Sequence, residues 1–178
     1  MGDRVRWGVL GVAAIATKKV ISAMQQSSNC EVVAIASRDR DRAAEAAGSL
    51  DIARPYGSYQ DLLDDEDVEA VYIPLPNNLH AEWTVRAAKA GKHVLCEKPL
   101  AMSAAEAATV AIACEHADVL LMEAFMYRLH PQWVRARELV AAGRIGELRA
   151  ISAVFTYHNV DPGNIRNVAE YGGGALMD

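Results

Sequence analysis

Five strand-length apolar runs, Val5 to Leu10, Glu31 to Ala36, Ala70 to Ile73, His93 to Cys96 and Val119 to Met122, alternate with amphipathic stretches. That alternation constrains the fold more than any other feature of the chain. The runs are apolar without strict every-other-residue polarity, as in strands covered on both faces. The stretches Thr17 to Gln26, Asp41 to Ala47, Leu79 to Ala90, Ala104 to His116 and Gln132 to Ala142 are rich in Ala, Leu, Glu, Lys and Arg, as helices prefer. The order β-α-β-α predicts an α/β fold with a doubly wound parallel sheet, because helices then cover both sheet faces. Asn78 and Ser103 are expected N-caps, Ser103 with Glu106 as a capping box, and Gly91 and Gly143 suit left-handed C-cap positions.

Composition narrows the classes of function. A chain of 178 residues suits one full core, and 52% hydrophobic with 23% charged residues excludes a disordered, collagen-like or coiled-coil chain. A net charge of -5 with no dense basic block argues against nucleic acid as a partner. The five acidic residues between Asp61 and Asp67 read as a solvated helix end and loop. Cys30, Cys96 and Cys114 are odd in number and sit in apolar stretches, which predicts reduced thiols and a cytoplasmic location. No apolar run approaches the ~20 residues of a membrane span. Arg4 and Arg6 before an apolar run ending Ala14-Ile15-Ala16 imitate a signal peptide, yet Lys18 and Lys19 follow and the same residues fit a βα unit.

The first βα turn carries chemistry. Gly11, Ala13 and Ala16 fall on the G-x-G-x-x-G/A frame, in which the first position permits the tight turn. The second must be small so that backbone approaches a pyrophosphate, and the third lets helix pack on strand. Ala13 stands where glycine is usual, so the motif draws much of its weight from the βα context. The next strand ends at Ala36, where an NAD enzyme commonly carries an acid for the ribose 2′-hydroxyl. Here Ser37 and Arg38 follow, a hydroxyl and a guanidinium suited to a 2′-phosphate, which favours NADP over NAD. Asp39 points the other way, either towards a ribose hydroxyl or as the cap of an ordinary strand-to-helix turn.

Pro74 to His80 and Glu97-Lys98-Pro99 each follow a predicted strand, at the carboxyl edge where open parallel sheets bind ligands. Hydride transfer between alcohol and carbonyl needs a proton moved at the oxygen, which a lysine in the crevice can do. Lys98 is the candidate, against the reading of a surface lysine in a proline-terminated turn. No metal site is expected: His93 and Cys96 point to opposite faces of a strand, and Cys114 and His116 diverge on a helix. The chain has neither a G-x-S-x-G elbow nor a nucleoside-triphosphate loop.

After Gly146 the character changes. Leu148 to His158 reads as one long strand of β-branched and aromatic residues, and Asp161 to Asp178 as a loop with Gly172, Gly173 and Gly174. The expected division is a dinucleotide-binding domain over residues 1–124, then residues 125–178 as a connecting helix and first strand of a truncated α+β domain. A lone strand exposes unpaired backbone, so either another subunit covers it or the chain is a fragment.

Taken together, Gly11-Val-Ala-Ala-Ile-Ala16, Ile73-Pro-Leu-Pro-Asn-Asn-Leu-His80, Ala90-Gly-Lys-His-Val-Leu-Cys-Glu-Lys-Pro99 and Gly172-Gly-Gly-Ala-Leu-Met-Asp178 resemble the glucose-fructose oxidoreductase/inositol dehydrogenase/MocA family. Glu123 to Pro131 and Asn164 to Asn167 are most similar to its sugar dehydrogenase and trans-dihydrodiol dehydrogenase branch, which uses NADP. The resemblance implies that Lys98 is the catalytic lysine, fixed beside the nicotinamide by Glu97 and Pro99. It also implies that Leu75, Asn78 and His80 line the cofactor and that Asp178 is the aspartate near the substrate. The His or Tyr acid/base that the family places four residues after that aspartate has no position in this chain. The family's C-terminal domain is a large antiparallel sheet that binds substrate and commonly mediates dimerisation.

The expected function is an NADP-dependent oxidoreductase acting on a sugar, polyol or vicinal diol, a homodimer in its full form, with the chain as it stands binding cofactor without turnover. The alternatives are a non-catalytic dinucleotide-binding sensor or regulatory module, and a structural partner that completes another subunit through its exposed strand.

Overall fold

A computed structural model describes residues 4–156 and 158–174 of the chain. Six strands, β1 (Val5–Leu10), β2 (Cys30–Ala36), β3 (Arg54–Tyr56), β4 (Ala70–Ile73), β5 (His93–Cys96) and β6 (Leu121–Glu123), form one sheet. All neighbours run parallel in the order β3-β2-β1-β4-β5-β6. The order reverses direction between β1 and β4, which opens a crevice at their carboxyl ends. The connections are α1 (Ile21–Gln26), entered through a π-helical turn at Ala16–Val20, then α2 (Arg40–Leu50), α3 (Tyr59–Leu63), α4 (Asn77–Lys89) and α5 (Ala104–His116). After β6 a 3-10 turn at Met126–Leu129 leads into α6 (Pro131–Ala141). No helix among the described residues is long and apolar enough to cross a membrane.

The apolar strands are covered on both faces, with side chains alternating between two cores. Leu10, Val71 and Ile73 pack on one side with Leu62, Leu63 and Ala87 from α3 and α4. Val9, Ile35 and Tyr72 face the other side, where Ile21 of α1 and Ala46 and Ala47 of α2 meet them.

Helix ends follow the sequence with one correction. Ser103 accepts from the Glu106 N–H at 3.2 Å, while the Glu106 carboxylate accepts from Met102 N–H at 3.0 Å, one residue before the cap. Gly91 and Gly143 take left-handed backbone, at φ of 72° and 67°. Asn78 is not an N-cap: α4 begins at Asn77 after Pro76, and no side chain caps it. Proline fixes the entry angle there and carries no side-chain acceptor.

Two elements have little sequence signal. β3 is three residues long with Pro55 at its centre, tolerable because β3 is the sheet edge. α3 is five residues long and packs Tyr59, Leu62 and Leu63 into the core, while the acidic loop after it is held by polar contacts. Arg54 contacts Asp65 and Asp67 at 3.1 and 2.7 Å, and Tyr56 donates to Asp65 at 2.8 Å. The buried Lys92 amine donates to the carbonyls of Asp65 and Val68.

The strand expected over Leu148 to His158 does not form among the described residues of that stretch. Ile151, Val154 and Phe155 are more than four-fifths exposed. A strand exists only through its ladder partner, and no described segment pairs with this one. Instead the chain returns to the crevice through 3-10 turns at Ile165–Asn167 and Ala169–Tyr171.

Candidate cofactor site

One wall of the crevice is the β1–α1 turn. The Gly11 N–H donates to the Ala36 carbonyl at 2.9 Å, and Gly11 has φ of +121°. The backbone conformation there requires glycine, and a Cβ would also press on Leu75 Cδ2 at 3.0 Å. Ala16 is fully buried in the α1-side core, where its small side chain lets the helix meet the sheet. Ala13, Ala14 and Ile15 face the crevice. The first N–H groups of a helix lack intrahelical acceptors and carry positive potential, so this wall suits a pyrophosphate.

At the end of β2, Ser37 is buried; its Oγ accepts from the Asp39 N–H and its own N–H donates to Tyr56 O. Asp39 Oδ1 accepts from the N–H groups of Asp41 and Arg42, so this carboxylate serves as the N-cap of α2. Arg38 is exposed. Burial pushes the Tyr59 phenol up, and the Arg38 guanidinium hydrogen-bonded to it opposes that shift. Arg42, which sequence reasoning passed over, reaches back to the phosphate turn, donating from Nη2 to the Val12 carbonyl at 3.2 Å. Its position one helical turn beyond Asp39 was the available signal.

The opposite wall is the Glu97-Lys98-Pro99 turn, whose Lys98–Pro99 peptide is cis. Tyr72, fully buried, donates to Glu97 Oε1 at 2.6 Å, and the Glu97 N–H donates to Ile73 O at 3.0 Å. Burial, then the Glu97 carboxylate, hold the Tyr72 hydroxyl well above the usual phenol range, so it remains a neutral donor. His80 is fully buried, with its ring nitrogens 2.6 Å from Pro99 O and 2.7 Å from Leu75 O. Glu123 at the end of β6 accepts from the Leu100 N–H at 2.8 Å. The Cys96 thiol is pushed up to about 12 by burial, which makes it inert.

These walls enclose a cavity of about 550 Å³. It brings together Ala13, Leu75, His80, Glu97 and Lys98 from the expected set, with Asn77 added. Asn78 is exposed and absent from the lining; Asn77, one residue earlier, takes the place on the wall. Gly11 and Ala16 shape the turn without lining the cavity, and Ser37 and Arg38 stand beyond the end of β2. Asp178 lies outside the described residues. The returning tail contributes Arg166 and Gly172 to the lining.

A six-stranded parallel sheet in this order, with a glycine turn and a lysine turn flanking its switch point, defines a Rossmann dinucleotide-binding domain. The chain belongs to the GFO/IDH/MocA oxidoreductase family. Residues 5–125 match that family's profile, described as an oxidoreductase family with an NAD-binding Rossmann fold, and residues 133–178 match the GFO/IDH/MocA C-terminal domain. It is 50% identical to D-xylose 1-dehydrogenase (NADP(+)) 2 of Haloferax volcanii, over 97% of this chain and 53% of the relative. The mouse trans-1,2-dihydrobenzene-1,2-diol dehydrogenase is 36% identical over 98% of this chain and 52% of its own length. Among solved structures, a 3-ketoreductase from Actinomadura kijaniata in complex with NADP and TDP-benzene superposes with a TM-score of 0.92 at 43% identity. That superposition covers 99% of this chain and 54% of the ketoreductase. The chain spans about half the length of the curated relatives it matches.

Proposed function

We propose that the chain binds NADP across the crevice and supplies the cofactor half of an oxidoreductase that acts on a sugar, polyol or vicinal diol. The observation that carries this reading is that the phosphate turn at Ala13 to Ile15 and Lys98 line one and the same cavity. Residues 1–124 form the dinucleotide-binding unit in this reading, and residues 125–178 belong with substrate binding. The bound cofactor supplies or accepts the hydride.

The residues present fit that group. Gly11 gives the pyrophosphate a turn without a side chain, and Ala13 keeps the backbone approachable. Arg38 and Arg42 offer guanidinium forks for a 2′-phosphate, while Asp39 is engaged as a cap. Leu75, which packs against Gly11 of the phosphate turn, Asn77 and His80 line the same cavity. Lys98 holds or moves the proton at the substrate oxygen, and Glu97, oriented by Tyr72, fixes the turn that carries it. Asp178 acts near the substrate. The xylose dehydrogenase named for NADP(+) and the ketoreductase solved with NADP support the choice of cofactor. Free Cys30, Cys96 and Cys114 fit a reducing, cytoplasmic setting.

Titration of the chain with NADP and NAD, followed by tryptophan fluorescence, tests the reading. NADP is expected to bind about tenfold or more tightly than NAD, the gain from charge-assisted bonds to one phosphate. Equal affinity would remove the NADP assignment, and no binding of either would remove the site.

A further inference from the structure

His80 has no exposure to solvent, and both of its ring nitrogens face main-chain carbonyls, Nδ1 at 2.6 Å from Pro99 O and Nε2 at 2.7 Å from Leu75 O. A neutral imidazole has one N–H and one lone pair. Against two acceptors it satisfies one and turns a lone pair on the other, a mismatch that burial makes expensive. The imidazolium form has two donors and meets both carbonyls, two charge-assisted bonds that stand against the desolvation of its charge.

The two bonds hold different parts. Pro99 follows Lys98 directly, and the next N–H, Leu100, is fixed by Glu123. Leu75 places its Cδ2 against the open side of Gly11 in the phosphate turn. We infer that His80 is a doubly donating strap: Nδ1 holds the lysine turn, Nε2 holds the wall behind the phosphate turn, and the rigid ring sets the distance between them. It is a positioning residue, since it acts through Leu75 and Pro99. The inference rests on the reading of this crevice as the NADP site.

Two measurements on the chain test it. In long-range proton–nitrogen spectra of the histidine-labelled protein, both ring nitrogens of His80 should carry slowly exchanging protons. A lone-pair nitrogen at His80 would overturn the strap. The second measurement separates the two arms, because asparagine places its amide nitrogen near the Nδ1 position and glutamine near Nε2. H80N should keep the Leu100 amide slow to exchange while the NADP Kd rises about tenfold, as for one lost charge-assisted bond. H80Q should raise the NADP Kd less than H80N does and speed Leu100 exchange about tenfold or more. Equal changes in both variants would overturn the division of roles. Should both variants fail to fold, the wild-type spectrum decides. Should the wild type bind no dinucleotide, the cofactor reading fails by itself, and the spectrum with Leu100 exchange still judges the strap.

Discussion

Asn77 donates from Nδ2 to the Gly172 carbonyl at 3.0 Å, tying the first turn of α4 to a turn ninety-five residues further along the chain. The tail it anchors is stitched to itself: Asn167 donates to Asp161 O, Gly173 N–H to Val168 O and Gly174 N–H to Arg166 O. The tail therefore docks on the crevice as a preformed unit, with the Asn77 bond and the packing of Met102 beside Gly172 among its anchors. Asn77→Ala should cost about 1 kcal/mol of that docking, as for one hydrogen bond. Exchange at the amides of residues 172–174 should quicken roughly fivefold, with strands β1, β4 and β5 unchanged. Unaltered exchange in the tail would show that other contacts hold it.

Gly11→Ala sets an L side chain at φ of +121° with its Cβ 3.0 Å from Leu75 Cδ2. Strain of that kind costs about 1–3 kcal/mol, read as a lowered melting temperature. The larger effect is expected on the ligand, because the turn must shift away from the pyrophosphate. NADP affinity should fall about tenfold or more, measured by calorimetry. A variant that binds NADP like the wild type would show that this turn does not cradle the phosphates.

The parts of the fold that bury apolar surface were legible in sequence. The runs at Val5 to Leu10, Ala70 to Ile73 and His93 to Cys96 have the bounds of β1, β4 and β5, because these interior strands are covered on both faces. β3 was not legible: Arg54–Tyr56 is short, sits at the edge and holds its place through Arg54 and Tyr56 bonds to acidic residues. Leu148 to His158 forms no strand among its described residues, since β-branched composition records a preference that only a pairing strand can realise. At the site, Lys98 and the Gly11 turn announced themselves by position after strands. Arg42, Tyr72 and Glu123 did not, because their partners Val12, Glu97 and Leu100 are twenty or more residues distant and meet only in the folded chain.

Acid stability should depend on Asp65. Burial alone would raise its carboxyl, but the Tyr56 hydroxyl, the Asp67 N–H and the Arg54 guanidinium outweigh it, and the group sits below its ordinary 3.8. A depressed folded value means the ionised form is preferred in the folded chain. Its contribution is present above the unfolded value and is lost as pH falls below about 4. Urea midpoints between about pH 7 and pH 3 should fall for the wild type, and Asp65→Asn should lower the midpoint near neutrality and flatten the acid decline. Parallel acid declines in the two proteins would exclude Asp65 as a main source of it.

Lys98→Met in a chain extended to the length of the relatives separates chemistry from binding. Loss of a proton-transfer group lowers turnover about 10²–10⁴-fold. Cofactor affinity should stay within about twofold, because the role assigned to Lys98 is at the substrate oxygen. A variant that retains most of its kcat would remove Lys98 from the proton-transfer step.

The two arginines beyond β2 should divide the preference for NADP in different ways. Arg38 lies at the strand end with its guanidinium bonded to Tyr59, so in the proposed complex it bears on the 2′-phosphate. Arg38→Ala should weaken NADP about tenfold and leave NAD unchanged, the loss of one charge-assisted pair. Arg42 serves two ends, since its Nη2 also holds the Val12 carbonyl of the turn that receives the pyrophosphate. Arg42→Ala should therefore weaken both dinucleotides, NADP more than NAD. The contrast is sharpened by salt: the NADP-specific part of each loss is electrostatic and exposed, and it should shrink as ionic strength rises. Titration of both variants with both dinucleotides at low and high salt supplies the four comparisons. If Arg38→Ala weakened NAD as much as NADP, the guanidinium would be shaping the strand end, and the basis for preferring NADP would have to be sought elsewhere in the crevice.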